Sequence, residues 1–186
     1  MLNQTMKKSV LVILAPGFEE IEAITPIDIL RRADIEVTVA SLENDLLVRS
    51  KGNIFVTAEV KLDDVLKKEF DALLLPGGPG TLCLRKDERV LKLVNRFYDE
   101  KKPVGAICAA PTVLADAGVL KGKRYTAHFS TEDELTEIQK QSAVVKDGTI
   151  ITSQGAGTAI QFAFALVETL LEKTVADKIA KDICYL

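Results

Sequence analysis

Three side chains in this sequence can do chemistry at neutral pH, and each falls near the end of an expected strand. Cys108 stands in Lys102-Pro103-Val104-Gly105-Ala106-Ile107-Cys108-Ala109-Ala110-Pro111-Thr112. Val104 to Ile107 reads as a short buried strand, and Pro111 suits the first position of a helix that runs to Ala117 before Gly118. Cys108 therefore occupies a sharp strand-to-helix turn among small neighbours, as a nucleophile on a tight, strained turn requires. The amino end of the following helix favours a thiolate, so Cys108 is expected to ionise below the value of about 8.5 of a free cysteine. The competing reading is a small buried cysteine kept for packing; the turn context favours the reactive one.

Glu22 lies one turn into the helix after the first strand. On a solvated face it would only complement the helix dipole. Within reach of Cys108 it must share a proton with the thiol, because a carboxylate and a thiolate in contact repel. Protonated, it can donate to the sulfur or hold an oxygen of an oxidised sulfenate or sulfinate. His128, the single histidine, lies in a loop between a short expected strand and a capped helix; it is either structural or a proton carrier at pH 7. Gly77 and Gly78 follow another strand, where bare backbone N–H groups, with that of Ala109, can form an oxyanion hole. Pro-Gly-Gly is also an ordinary tight turn.

Composition narrows the classes. The net charge of -3 implies no general attraction to nucleic acid. Cys83, Cys108 and Cys184 form no Cys-x-x-Cys pair, which argues against a disulfide framework and a thiolate metal site, and one histidine cannot build a multi-histidine centre. No role is assigned to Cys83. The apolar run Val10 to Ala15 is too short for a membrane span, and Phe18-Glu19-Glu20-Ile21-Glu22, not a cleavage site, follows it. It reads as the first strand of a cytoplasmic protein. Gly155-Ala156-Gly157 is followed by Ile160 where a dinucleotide fingerprint needs its third glycine, so a nucleotide site has little support.

These residues need a scaffold that gathers strand ends. Ser9 to Ala15 and Asp71 to Leu75 are apolar throughout, the mark of central parallel strands. Ile35 to Ala40 is a second strand, Val48 to Val60 holds one or two short edge strands, and Leu62 to Lys67 a helical turn. Glu19 to Ala33 is a helix with Ile21, Ile24, Ile29 and Leu30 on one face and a disturbance at Pro26. Asp87 to Lys101 is an amphipathic helix. Arg124 to Ala127 reads as a strand leading to His128, and Thr131-x-x-Glu134 as a capping box. Val144 to Thr152 reads as a hairpin around Asp147-Gly148, followed by helices Ala156 to Glu172 and Val175 to Ile183. Strands alternating with helices predict one α/β domain over residues 1–186, a doubly wound sandwich on a mostly parallel sheet. In such sheets, sites form at the carboxyl ends of the strands. The loops after the first strand, after Leu75, at Cys108 and at His128 all belong to that edge.

Four separated segments are familiar together: Leu14-Ala15-Pro16-Gly17-Phe18-Glu19-Glu20-Ile21-Glu22, Leu75-Pro76-Gly77-Gly78, Ala106-Ile107-Cys108-Ala109-Ala110-Pro111 and Thr152-Ser153-Gln154-Gly155-Ala156-Gly157-Thr158-Ala159. They closely resemble the DJ-1/ThiJ/PfpI superfamily, over roughly Lys8 to Ala180. The resemblance implies a flavodoxin-like sandwich, a homodimer, a reactive Cys108 and Glu22 as its protonated carboxyl partner. Gly78 and Ala109 match the family's backbone donors, and His128 the histidine of its Parkinson-associated branch. It further implies roles as glutathione-independent glyoxalase, deglycase, oxidative-stress sensor or chaperone. An older family label, thiazole monophosphate biosynthesis, finds no supporting residue. The peptidase-like branch has a histidine directly after the cysteine. Here that residue is Ala109, so a Cys-His protease pair of that kind is absent.

Three expectations follow. Cys108 converts small 2-oxoaldehydes such as methylglyoxal to hydroxy acids without cofactor or metal, with Glu22 or His128 moving the proton. Alternatively Cys108 is an oxidation sensor whose sulfinate changes the protein's interactions. In the third reading the chain is a scaffold with an inert cysteine.

Overall fold

The fold was read from a computed structural model, which describes residues 7–185. The apolar run near the amino end becomes β1 (Ser9–Leu14), at the heart of the main sheet. It pairs in parallel with β2 (Glu36–Ser41) on one side and β6 (Ala72–Leu75) on the other. Beyond β6 come β7 (Val104–Ile107) and β9 (Ile150–Ser153), both parallel, and then β8 (Val144–Asp147), the one antiparallel strand of this sheet. The short β5 (Val60–Lys61) closes the opposite edge beside β2. The full order is β5-β2-β1-β6-β7-β9-β8. This is the doubly wound α/β sandwich the alternation of elements predicts.

Both faces of the sheet are covered, which is why its central strands are apolar at every position rather than at alternate ones. Val10, Val12 and Leu14 of β1 point into a core formed with α1 (Glu20–Arg32), α6 (Ala159–Leu170) and α7 (Lys173–Asp182). Leu11 and Ile13 point into the opposite core, formed with α2 (Leu62–Val65), α4 (Glu88–Asp99) and α5 (Pro111–Asp116). The remaining helix, α3 (Thr81–Lys86), follows β6 directly, and its Leu84 joins this second core. A separate antiparallel hairpin, β3 (Leu47–Arg49) and β4 (Phe55–Thr57), turns at Lys51-Gly52-Asn53. The Glu20 carboxylate anchors that turn, accepting from the Gly52 N–H at 2.6 Å and from the Ser50 hydroxyl.

Several local expectations are corrected. Ile29 and Leu30 are buried, but Ile21 and Ile24 face outward, 52% and 42% exposed. At about 100° per residue, Ile21 and Leu30 fall on opposite sides of a helix. α1 runs through Pro26 to Arg32, as the expected helix over Glu19 to Ala33 does. Arg124 to Ala127 forms no strand. The outer edge of β9 is already taken by β8, so only an isolated bridge, Tyr125 to Ile138, remains. The Thr131–Glu134 capping box does not form either. Thr131 Oγ1 donates to the His128 carbonyl, and the Glu134 carboxylate pairs with Arg85 at 2.7 Å. Helix α3 was not anticipated, because the prolines and glycines before it read as a plain loop.

Phe162 of α6 is fully buried beneath β7, its ring 2.9 Å from where a Cβ on Gly105 would lie. Phe162→Ala should therefore cost about 3–5 kcal/mol, read as a lower urea midpoint for unfolding.

Candidate active site

Cys108 sits one residue past the end of β7 with φ at +65°, in the left-handed region that a side chain with a Cβ adopts only under constraint. Both of its backbone groups are tied. Its N–H donates to the Ser153 carbonyl at 2.9 Å, and its carbonyl accepts from the His128 N–H at 2.9 Å. Pro111 takes the first position of α5 as expected. The sulfur is thus lifted off the end of the sheet by a turn pinned from β9 and from the His128 segment. Ala109 and Ala110 leave room for it.

Glu22 is not on a solvated face. It is 1% exposed, and its Oε2 accepts from the Gly77 N–H at 3.0 Å. Glu19 caps α1 by accepting from the Glu22 N–H at 3.0 Å, which fixes the first turn and aims Glu22 inward. A Cβ on Gly77 would come within 2.6 Å of both Cys108 Cβ and Glu22 Oε2, so only glycine lets the three loops approach. Gly78 has φ at +87°, and a Cβ there would meet the Gly17 carbonyl at 2.6 Å. The Gly77 N–H, grouped with the oxyanion donors on sequence, is spent on Glu22. The N–H groups of Gly78 and Ala109 lie by the Cys108 sulfur and favour its ionised form.

Gly155 locates the cluster. A Cβ at that position would lie 3.4 Å from His128 Cδ2, 3.7 Å from Glu22 Oε1 and 4.0 Å from Cys108 Sγ. All three expected side chains therefore face one small space, which exists because residue 155 is glycine. The sequence showed Gly155 only as part of a motif. The His128 ring is oriented by Ser130, whose N–H donates to Nδ1 at 3.2 Å and whose hydroxyl lies 2.8 Å from the same atom. In a neutral ring the proton therefore sits on Nε2. Around this cluster lies a cavity of about 460 Å³, which Lys51 borders from the anchored hairpin.

The electrostatics correct the expectation of a simple low thiol pKa. Burial pushes the Glu22 carboxyl up to about 7, against hydrogen bonds with Cys108 and the Gly77 N–H that lower it. Burial, then the charge of and hydrogen bond to Glu22, push the Cys108 thiol up to about 12, while the Gly78 and Ala109 N–H groups lower it. The two acids share a hydrogen bond and titrate as one unit. The first proton leaves near 7 and the second near 12, so above about pH 7 one proton serves both side chains. Among the described residues, no group of histidines, cysteines and carboxylates could hold a metal ion. No helix among them is long and apolar enough to cross a membrane.

A family model described as DJ-1/PfpI matches residues 8–169. The chain belongs to the DJ-1/PfpI family. It is 40% identical to Protein dj-1beta of Drosophila melanogaster, covering 96% of this chain and 97% of the fly protein. The crystal structure of Drosophila melanogaster DJ-1beta superposes with a TM-score of 0.94 at 39% identity, covering 97% of this chain and all of that one. The structure of oxidized Toxoplasma gondii DJ-1 gives a TM-score of 0.91 at 35% identity, covering 96% of this chain and 98% of that one. Glutathione-independent glyoxalase DJR-1.2 of Caenorhabditis elegans is 36% identical, covering 96% of this chain and 97% of the worm protein. The fold of this DJ-1/PfpI chain is therefore the flavodoxin-like one that the resemblance implies.

The raised Glu22 pKa has a consequence for stability. Between about pH 4.5 and 7 the folded chain keeps a proton on Glu22 that the unfolded chain has lost. A folded state that binds the extra proton loses stability as pH rises through that window. Glu22→Gln removes this dependence. The melting temperature of wild type relative to the Gln variant should fall from pH 4.5 to pH 7; parallel profiles would show that Glu22 is not perturbed.

Proposed function

We propose that this protein converts small 2-oxoaldehydes to 2-hydroxy acids by addition of water, using Cys108 as nucleophile and no cofactor. The observation that carries this reading is the shared proton of the Glu22–Cys108 pair. The two N–H groups of Gly78 and Ala109 favour negative charge on the sulfur, whereas one, from Gly77, faces Glu22. Charge on sulfur and proton on Glu22 is the reactive form. The thiolate adds to the aldehyde carbon, and the resulting oxyanion takes the Gly78 and Ala109 N–H groups or the Glu22 proton. The hydrogen on that carbon leaves as a proton and returns to the neighbouring ketone carbon. The first carbon is thereby oxidised to an acyl thioester and the second reduced to an alcohol, with no outside oxidant. Water then cleaves the thioester, releasing the hydroxy acid and regenerating Cys108. Glu22 and His128 both face the space where this proton moves. The worm relative's name as a glutathione-independent glyoxalase supports the same chemistry.

A second reading is favoured by one feature. A protonated Glu22 beside the sulfur can donate to a sulfenate or sulfinate oxygen, which stabilises Cys108 after oxidation by a peroxide. The oxidized Toxoplasma relative is consistent with a sensor role of this kind. For the partner, the proposal is a second copy of this chain. Ile21 and Ile24 of α1 and Leu47, Ile54 and Phe55 of the hairpin are all outward-facing apolar residues. The Glu20 anchor holds the hairpin beside the start of α1, so these side chains belong to one face.

With methylglyoxal as substrate, Cys108→Ser should abolish lactate formation and Glu22→Gln should lower kcat by about a hundredfold or more, both variants remaining folded by circular dichroism. Undiminished turnover in the serine variant would exclude covalent catalysis by Cys108. Light scattering should give twice the chain mass of 20.3 kDa for wild type. Ile21→Glu should shift it toward the monomer, and a monomeric wild type at micromolar concentration would reject the dimer.

A further inference from the structure

His128 is tied through both of its backbone groups and at its ring. Its N–H donates to the Cys108 carbonyl at 2.9 Å, and its carbonyl accepts from the Thr131 N–H at 3.0 Å and the Thr131 hydroxyl at 2.8 Å. The Phe129 ring lies against the imidazole, with centroids 4.1 Å apart. At the imidazole two donors converge on one atom. The Ser130 N–H can only donate, so at 3.2 Å it needs a lone pair on Nδ1. The Ser130 hydroxyl, 2.8 Å from the same atom, must then donate as well. A half-turn of the ring would set a carbon against both donors. Ser130 thus fixes the orientation of the imidazole together with its tautomer.

That arrangement limits the chemistry of His128. In the neutral ring the Nδ1 lone pair is occupied and Nε2 carries the hydrogen, so the open edge offers a donor and no acceptor. Such a ring cannot take a proton from carbon, but it can hold an oxygen. The edge with this donor borders the reacting groups. Cδ2, which is bonded to Nε2, lies 3.4 Å from where a Cβ on Gly155 would be, and that point is 3.7 Å from Glu22 Oε1 and 4.0 Å from Cys108 Sγ.

In the reaction proposed above, one oxygen has no partner. The N–H groups of Gly78 and Ala109 and the proton of Glu22 serve the oxygen of the attacked aldehyde. Glu22, left as a carboxylate, takes the hydrogen of that carbon as a proton. The electron pair left behind forms a double bond to the neighbouring carbon, and charge develops on the ketone oxygen. Resting on that reading, we infer that His128 is a fixed hydrogen-bond donor to this second oxygen rather than a proton carrier, and that Ser130 is the positioning residue that makes it one. Glu22 then returns its proton to the neighbouring carbon, and the hydroxyl proton passes from the first oxygen to the second. The acyl thioester results, and His128 keeps its proton throughout.

His128 is the single histidine of the chain, so labelling imidazole nitrogens gives one pair of nitrogen NMR signals. At alkaline pH, where imidazoles are neutral, wild type should show a protonated Nε2 and an unprotonated Nδ1. A proton on Nδ1, or shifts averaged between the two tautomers, would overturn the inference. Ser130→Ala should draw the two shifts together and lower kcat for methylglyoxal about fivefold, the effect of one hydrogen bond. KM should not change, since the ketone oxygen gains its charge only after binding. Ser130→Thr keeps the hydroxyl and should restore both the shifts and kcat. Alkylation of Cys108 by iodoacetamide should proceed equally in all three proteins. An undiminished kcat in the alanine variant, no recovery in the threonine variant, or altered alkylation would overturn the inference while methylglyoxal turnover by wild type stands. Absence of turnover in wild type would instead overturn the glyoxalase reading, and the role of His128 with it, whatever the spectra show.

Discussion

Two acids buried face to face hold no more than one negative charge between them at neutral pH. At a separation of about 4 Å and an effective dielectric of about 20, two unit charges repel by about 4 kcal/mol, roughly three pKa units. Glu22 and Cys108 are under this constraint, and the architecture around them serves to keep them there. Their loops follow β1 and β7, which flank β6, and β6 supplies Gly77 and Gly78. Neighbouring strands lie about 4.8 Å apart, so three consecutive parallel strands deliver all the parts within a few ångströms. An antiparallel arrangement would have sent alternate loops to the opposite edge.

Bringing the loops so close has a steric condition and a conformational one. The steric condition is met by absence. Gly77 makes room for Cys108 and Glu22, and Gly155 makes room for the space that they and His128 face. The conformational condition is the left-handed Cys108, which costs about 1–3 kcal/mol on its own. Hydrogen bonds from Cys108 to Ser153 and from His128 to Cys108 hold it. Beneath the strand that leads to it, Phe162 packs against Gly105 in the hydrophobic core.

Legibility in the sequence followed burial and punctuation. β1, β6 and β7 were visible because strands covered on both faces are apolar throughout, and the β8–β9 hairpin because Asp147-Gly148 marks its turn. Helix α3 was hidden behind Pro76-Gly77-Gly78-Pro79-Gly80, where turn residues mask a helix that starts immediately afterwards. Arg124 to Ala127 looked like a strand because its local pattern is one, but strand status depends on a free sheet edge, which is a tertiary fact. Cys108, Glu22, Gly78, Ala109 and His128 were singled out in the sequence, and the structure brings them to one place. The direction of the thiol shift was not found, because a helix amino end is visible in sequence and the depth of burial is not. Gly155 was missed because it acts through the side chain it lacks.

The scaffold also distinguishes the two candidates for proton transfer. His128 is carried by a segment that has lost its expected strand and helix, and its ring is oriented locally, by Ser130 two residues away. Its Nδ1 is engaged, so only Nε2 can exchange a proton. Glu22 is carried by α1, a helix packed on the sheet through Ala23, Ile27 and Leu30, with its first turn capped by Glu19. Groups placed by packed helices and strands hold a reacting geometry more tightly than groups on loops. Protonation of Glu22 is moreover coupled to the charge on sulfur, so its proton affinity rises as the thiolate forms and falls when that charge moves onto substrate. A proton donor whose affinity follows the nucleophile in this way releases its proton at the step that creates the oxyanion. On the proposed reaction, Glu22 is therefore the group that moves the proton.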